Sequence, residues 1–184
     1  MAGAIAHYTD LDILHCFLLV GRCRSRAALS SALGLGEGIT RSVLDVLKRR
    51  KLLATTKEGH ALTAKGRKAL TQLSARFSSP VPIKVAGIHG EQAAVIVKKP
   101  KSCSVVEARD EAVRAGAKGA LLFFFDGKLH LPPLKASGRY QGLAGQFPLR
   151  KGQMLVVSFS GERRLAENGA LAMALMLSGT KGFP

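Results

Sequence analysis

Gly34, Gly36 and Gly38 stand at every second position of LGLGEGITRS, residues 33–42, a density of glycine that phosphate-cradling loops use. A P-loop also needs a strand before its glycines and a Gly-Lys-Ser/Thr ending, whose lysine reaches the phosphates. Here the preceding ALSSALG reads as a helix, and Gly38 is followed by Ile39 and Thr40. A Gly-x-Gly-x-x-Gly dinucleotide fingerprint fails too, since it must follow a strand. The glycines then have separate tasks. Gly34 sits where a helix favours a left-handed C-terminal residue, Gly36 is a tolerated N-cap, and Gly38 falls in the first turn of the next helix.

That next helix, residues 37–50, carries the more specific chemistry. At 3.6 residues per turn, Thr40, Val43, Leu44 and Leu47 share one side, with Thr40 its only polar member. The opposite side presents Gly38, Ser42, Asp45 and Arg49, flanked by Arg41. A small, polar, cationic face suits the DNA major groove, where arginine donates two hydrogen bonds to guanine. Gly38 would let the helix start approach the duplex closely. Asp45 lies four residues from both Arg41 and Arg49 and is expected to orient them as an i,i+4 ladder. Acceptance from a cytosine amine is its alternative role, and a merely solvated basic face is the plain alternative for the whole surface.

The elements needed to position this face are legible around it. Thr9 can cap a helix from Thr9 to about Val20, with Asp12 in its third position and Leu11, Leu14 and Leu18 as a stripe. Ser25 can cap a short second helix bearing Leu29 and Leu33. LLATTKEGHALT reads as strands 52–56 and 60–62 joined at Glu58-Gly59. Thr63 can cap a fourth helix, with Leu70, Leu73 and Phe77 on one side. SSPVP (78–82) then marks a boundary, giving domains 1–78 and 79–184.

Beyond it the pattern turns to strands. Segments 83–88 and 93–98 flank HGEQ as a hairpin, SVVEARDEAVRAG is a helix ending at Gly116, and ALLFFF with LHL is a second hairpin whose first strand is fully buried. PPLKASGRYQGLAGQFP reads as a loop, MLVVSFS as a strand, and GERRLAENGALAMALML as the last helix. Its stripe of Leu165, Ala172, Leu175 and Met176 reads as core rather than interface. The expected fold is α+β: the helical first domain and hairpin, then an α/β sandwich with helices on one face of a mostly antiparallel sheet.

Composition narrows the partners. The 184 residues hold 28 Lys and Arg against 12 Asp and Glu, a formal charge of +16 that favours a polyanion, nucleic acid before membrane. The excess is shared between the two halves, so it is not a disordered basic tail. The longest apolar segments are too short for a membrane span. The start MAGAIAHYTD lacks a signal peptide's features, and the three scattered cysteines suit a reducing compartment; a cytoplasmic protein is expected.

In the second half, HGEQ offers His89, Gln92 and backbone amides, and Arg109 and Arg114 could hold an anionic small-molecule effector. Pairing of those arginines with Glu107, Asp110 or Glu111 is the competing explanation. His89, Cys103 and His130 are acceptable zinc ligands by type, but lack the paired short spacings of zinc motifs. No metal or cofactor is expected. No nucleophile-base arrangement follows either, so no catalytic residue is assigned.

LGLGEGITRSVLDVLKRRKLL resembles the turn and recognition helix of winged helix-turn-helix transcription regulators, and TTKEGHALTAKGRKAL resembles their wing hairpin and following helix. The resemblance covers about Tyr8 to Phe77 and departs at Thr40, where the family usually has an apolar residue. It implies that Thr56, Lys57 and His60 reach the minor groove or phosphates from the wing. Lys51 and the 22–26 segment could add phosphate contacts, which position without reading sequence. GIHGEQAAVIV and EARDEAVRAGAKGALLFFFDGKLHLPP resemble the C-terminal domain of uncharacterised archaeal winged-helix proteins. Together these imply a cytoplasmic, homodimeric regulator that binds double-stranded DNA, with a sensing or dimer-forming second domain and no membrane association. An RNA- or ribosome-associated protein, and a small-molecule enzyme in the second domain with an accessory winged helix, stand as alternatives.

Overall fold

Local sequence decides where each helix of the first unit begins. In the computed structural model, which describes residues 8–22, 25–101, 104–132 and 140–180, α1 spans Asp10–Val20. It starts on a reciprocal capping box: Asp12 N–H donates to Thr9 Oγ1 at 3.3 Å, and Thr9 N–H donates to Asp12 Oδ2 at 2.7 Å. Two orphan donors of the first turn are thereby satisfied. Ser25 caps α2 (Arg26–Leu33) by accepting from Ala28 N–H at 3.2 Å. Gly34 ends α2 in the left-handed conformation, φ 64°, and Leu35 N–H returns to Ser30 C=O at 3.1 Å. Two residues later α3 begins, Glu37–Arg49, with Gly36 as its N-cap.

Strands β1 (Leu53–Thr56) and β2 (Gly59–Leu62) form an antiparallel hairpin in register Leu53↔Leu62 to Thr56↔Gly59, and α4 (Ala64–Ser74) follows. The strands start at Leu53 and Gly59 rather than Leu52 and His60, because Gly59 takes φ 120° and joins the ladder itself. The unit's core comprises Leu14, Phe17 and Leu18 of α1, Leu29 and Leu33 of α2, and Val43, Leu44 and Leu47 of α3. Each such side chain stabilises the fold by roughly 1.5–3 kcal/mol through burial. Apart from half-buried Leu11 and Leu19, α1 is buried from Asp12 onward, so its apolar surface is far wider than a three-leucine stripe.

The chain divides into two compact units between Gln72 and Leu73, inside α4. The second unit is built on a five-stranded sheet in the order β3-β4-β7-β5-β6, every neighbouring pair antiparallel. Its strands are β3 (Val81–Pro82), β4 (Glu91–Val97), β5 (Gly119–Phe125), β6 (Leu129–His130) and β7 (Met154–Ser160). Helices α5 (Val105–Arg114) and α7 (Arg163–Ser178) cover one face. The fold is α+β, as the sequence implies.

The other face is covered without a long helix. Ala94, Ile96, Phe123, Leu155 and Val157 pack there under Ile83, Val85 and Leu143. Leu143 belongs to the short helix α6 (Gln141–Ala144), inside a stretch expected to be loop; Pro133–Arg139 of that stretch lies outside the described residues. Tyr140 meets Phe123 edge-on at 5.2 Å between ring centroids.

Several expectations are corrected here. Residues 83–88 are not a strand: the ladder with β4 holds Val81 and Pro82, Ile83 N–H adds one bond to Gln92 C=O at 3.1 Å, and the segment then folds over the sheet to bury Ile83 and Val85. The buried Gln92 amide holds it, accepting from Val85 N–H at 2.7 Å and donating to Ile88 C=O at 2.8 Å. Strand β5 is only partly buried, since the two-residue β6 leaves its outer flank thinly covered. Phe77 lies past the end of α4 and bridges to Val97. On α7, Leu165, Ala172, Leu175 and Met176 are half-exposed; the buried side is Ala166, Ala170, Met173, Ala174 and Leu177. Small residues face the sheet there because the helix lies close to it: a Cβ added at Gly169 would stand 2.3 Å from Ser158 Oγ.

Candidate nucleic-acid interface

The inward side of α3 is Thr40, Val43, Leu44 and Leu47, all buried. Thr40 fits an apolar position because its hydroxyl donates to Gly36 C=O at 3.1 Å, which satisfies it without water. The outward side carries Gly38, Arg41, Ser42, Asp45 and Arg49. Gly38 is exposed, and a Cβ added there would meet nothing within 4 Å, so α3 is open to solvent at this position. Ser42 Oγ returns to Gly38 C=O at 3.3 Å.

Asp45 corrects the expected ladder. Its Oδ1 lies 2.6 Å from Lys48 Nζ, three residues on, and that hydrogen bond holds its carboxyl below the usual carboxylate range, with Arg49 and Arg41 adding to the effect. The aspartate is therefore committed to Lys48. Arg41 and Arg49, both exposed, join no ion pair among the described residues. A second pair clamps the turn from α2 to α3: Arg26 Nη2 and Nε donate to Glu37 Oε2 at 3.1 and 3.3 Å. Of the 22–26 segment, Cys23 and Arg24 lie outside the described residues.

Lys51 links this helix to the hairpin. It is the one non-glycine residue at positive φ (59°) among the described residues, and its side chain is exposed. The backbone around it is held firmly. Thr63 Oγ1 donates to Lys51 C=O at 2.7 Å, Thr63 N–H donates to Leu52 C=O at 3.0 Å, and Lys65 Nζ donates to Arg50 C=O at 2.9 Å. The last bond sets a cation on the carbonyl end of α3, where the helix dipole favours it. At the hairpin tip Thr56 and Lys57 are exposed. His60 is half-buried, its Nδ1 enclosed without a hydrogen-bond partner. Burial lowers the pKa of His60, and the nearby charges of Lys48 and Arg26 lower it further, so the ring is neutral near pH 7.

The four ligand candidates of the second unit do not converge. His89 lines a hollow of about 370 Å³ with Gly87, Gly90, Lys118, Phe159 and Gly161. Gln92 is spent on holding residues 83–88 and is buried. Arg109 borders a separate, smaller hollow of about 160 Å³, and Arg114 pairs with Glu111 on the exposed side of α5. Lys118 borders both hollows, although no motif in the sequence singles it out. Cys103 lies outside the described residues, and His130 pairs with Asp126 at 2.7 Å. Among the described residues no group of three His, Cys, Asp or Glu side chains could hold a metal ion.

Comparison with known proteins agrees with this division. Residues 6–77 match the family described as the CggR N-terminal DNA binding domain, and residues 88–177 match a domain of unknown function, DUF4443. No curated protein matches this chain. Among solved structures it is similar to the hypothetical protein PH0730 from Pyrococcus horikoshii OT3, at 27% identity over 95% of each chain and a TM-score of 0.80.

The stretch matched by the CggR N-terminal model coincides with the helices and hairpin that position the outward face of α3. Two pairings at this surface differ in how far the sequence reveals them. The Arg26–Glu37 pair spans eleven residues, with no periodic signal to reveal it. Lys48 stands at i+3 from Asp45, a spacing the sequence does show, beside the equally spaced Arg41 and Arg49. Among the described residues no helix is long and apolar enough to cross a membrane.

Proposed function

We propose that this chain is a cytoplasmic, DNA-binding transcriptional regulator of the winged-helix type that catalyses no reaction. The observation that carries it is the outward face of α3: Gly38 open, Arg41 and Arg49 exposed and joined to no acid among the described residues, Asp45 neutralised by Lys48. In this reading α3 enters the major groove, Arg41, Ser42 and Arg49 face base edges or phosphates, and the hairpin tip with Thr56 and Lys57 grips the backbone as a wing. Lys51 adds a phosphate contact. His60 supports the hairpin from within rather than reaching out. The matched family is described as DNA binding, which supports the same partner.

Affinity for duplex DNA measured against salt tests it. Each phosphate neutralised contributes a slope of about −0.9 to log K against log salt. Arg41→Ala with Arg49→Ala should weaken binding and flatten the slope by up to about 2 if both meet phosphate. Failure of the wild-type chain to bind any duplex at low salt overturns the reading, and preference for structured RNA in competition replaces duplex with RNA as partner.

The second unit is read as the sensing or dimer-forming part. The hollow at His89 favours a small anionic effector: Lys118 and His89 stand at its rim, Phe159 offers a ring face, and three glycines leave its walls bare of side chains. A small molecule released on denaturation and identified by mass spectrometry would support it. A Lys118→Glu variant with unchanged retention of that molecule would refute it.

A further inference from the structure

Helix α5 buries Ala108 and Ala112 against the rest of its unit and leaves a stripe of Val106, Arg109, Asp110 and Val113 in solvent. These positions follow i, i+3, i+4, i+7, the spacing of one helix face. Val106 is 65% exposed and Val113 53%, and they are the exposed large hydrophobics among the described residues. Neither Arg109 nor Asp110 joins an ion pair among the described residues, whereas Arg114 on the neighbouring flank is engaged by Glu111. The stripe borders the 160 Å³ hollow formed with Lys118, Gly119 and Ala120 at the start of β5.

We infer that α5 is the dimer contact, packing antiparallel on α5 of a second copy about a two-fold axis between Arg109 and Asp110. An axis there sets each residue against the one equally far on the other side. Arg109 faces the partner's Asp110, and Val106 faces the partner's Val113. Both relations occur twice, as an isologous contact requires. The stripe is thus complementary to itself in charge and apolarity at once, in a single register, which argues for a second copy as occupant.

Ten residues give a helix only about 15 Å long, and the contact falls short of the roughly 1,200 Å² of a stable interface. The dimer is therefore reversible and concentration-dependent, completed when two half-sites of DNA hold both copies. This deepens the dimer element of the proposed function and does not depend on which base pairs are read.

Sedimentation velocity of the full chain over a micromolar concentration series, without DNA, tests it. The wild type should pass from monomer to dimer. Val113→Lys should remain monomeric throughout. Arg109→Asp, which sets Asp against Asp twice, should raise the dissociation constant about tenfold, as expected from two exposed pairs turned from attraction to repulsion. Arg109→Asp combined with Asp110→Arg should bring it back, since the swap restores both pairs only across such an axis. All the substituted side chains are exposed, and unchanged circular dichroism confirms that they fold. A dimer indifferent to Val113→Lys, a swap that fails to restore association, or capture of a different protein by this face overturns the assignment. A wild type that stays monomeric overturns it too, while duplex binding by that monomer would leave the DNA-binding reading standing.

Discussion

Replacing Glu167 by glutamine should remove most of one pH-dependent term from the stability of the second unit. Glu167 lies on α7 and is buried; Arg163 Nε approaches its Oε1 only to 3.9 Å. Burial pushes the carboxyl up from 4.5 to about 7, Arg163 opposes this, and the negative charge of Glu91 adds to it. Because the folded state holds the proton more tightly than the unfolded state, the stabilising contribution is complete below pH 4.5 and is lost as pH rises towards 7. A factor of ten in proton affinity is about 1.4 kcal/mol, so the loss amounts to about 3 kcal/mol. Glutamine has nearly the same shape and does not ionise. Urea unfolding of both proteins, followed through the transition of the second unit, should therefore show the variant gaining about 3 kcal/mol on the wild type between pH 4.5 and pH 8. Subtracting the wild type at each pH cancels every other titrating group. A difference between the two proteins that stays constant over this range refutes the reasoning, because Glu167 would then titrate like an exposed acid.

Other changes read different parts of the structure. Lys51→Gly should stabilise the first unit by up to about 1 kcal/mol in chemical unfolding, because the left-handed backbone no longer carries a Cβ. In the proposed complex it should also reduce the salt slope by about 1. Gly66→Ala should cost at least about 2 kcal/mol, since the new Cβ would stand 2.1 Å from the Leu52 carbonyl oxygen, a backbone atom with little room to yield. Cys16, whose thiol burial pushes up to about 12, should resist alkylation at pH 8 in the folded chain and react on unfolding, as peptide mapping would show.

Much of the first unit is written locally. The Thr9–Asp12 box, Ser25 and Gly34 each act within five residues, and the inner side of α3 follows from helical period alone. Strand β7 is legible end to end because it is the central strand, apolar enough on both faces to read as one run. Residues 83–88 carry the pattern of a strand because Ile83 and Val85 alternate with exposed neighbours in a strand and in a covering segment alike. What distinguishes the two is the Gln92 side chain, which accepts from the backbone N–H of Val85, seven residues earlier, and so takes that segment out of the ladder. On α7 the larger side chains suggested the core, but the close approach of helix and sheet selects alanine and glycine. At the candidate interface, the residue types of α3 were legible and their pairing was not: Asp45 had three cations within reach, and side-chain geometry chose Lys48.

The knot of bonds where α3 meets the hairpin has a consequence for how such a surface can change. Thr63 and Lys65 tie the last carbonyls of α3 and the hairpin stem to the start of α4, and Gly66 lies against the same stem. Helix and hairpin are therefore set at a fixed angle before any partner arrives, and joining one costs no ordering at that corner. In the proposed complex, altered preference for a target would then come from exchanging the outward side chains of α3, one position at a time, on a frame that keeps its shape.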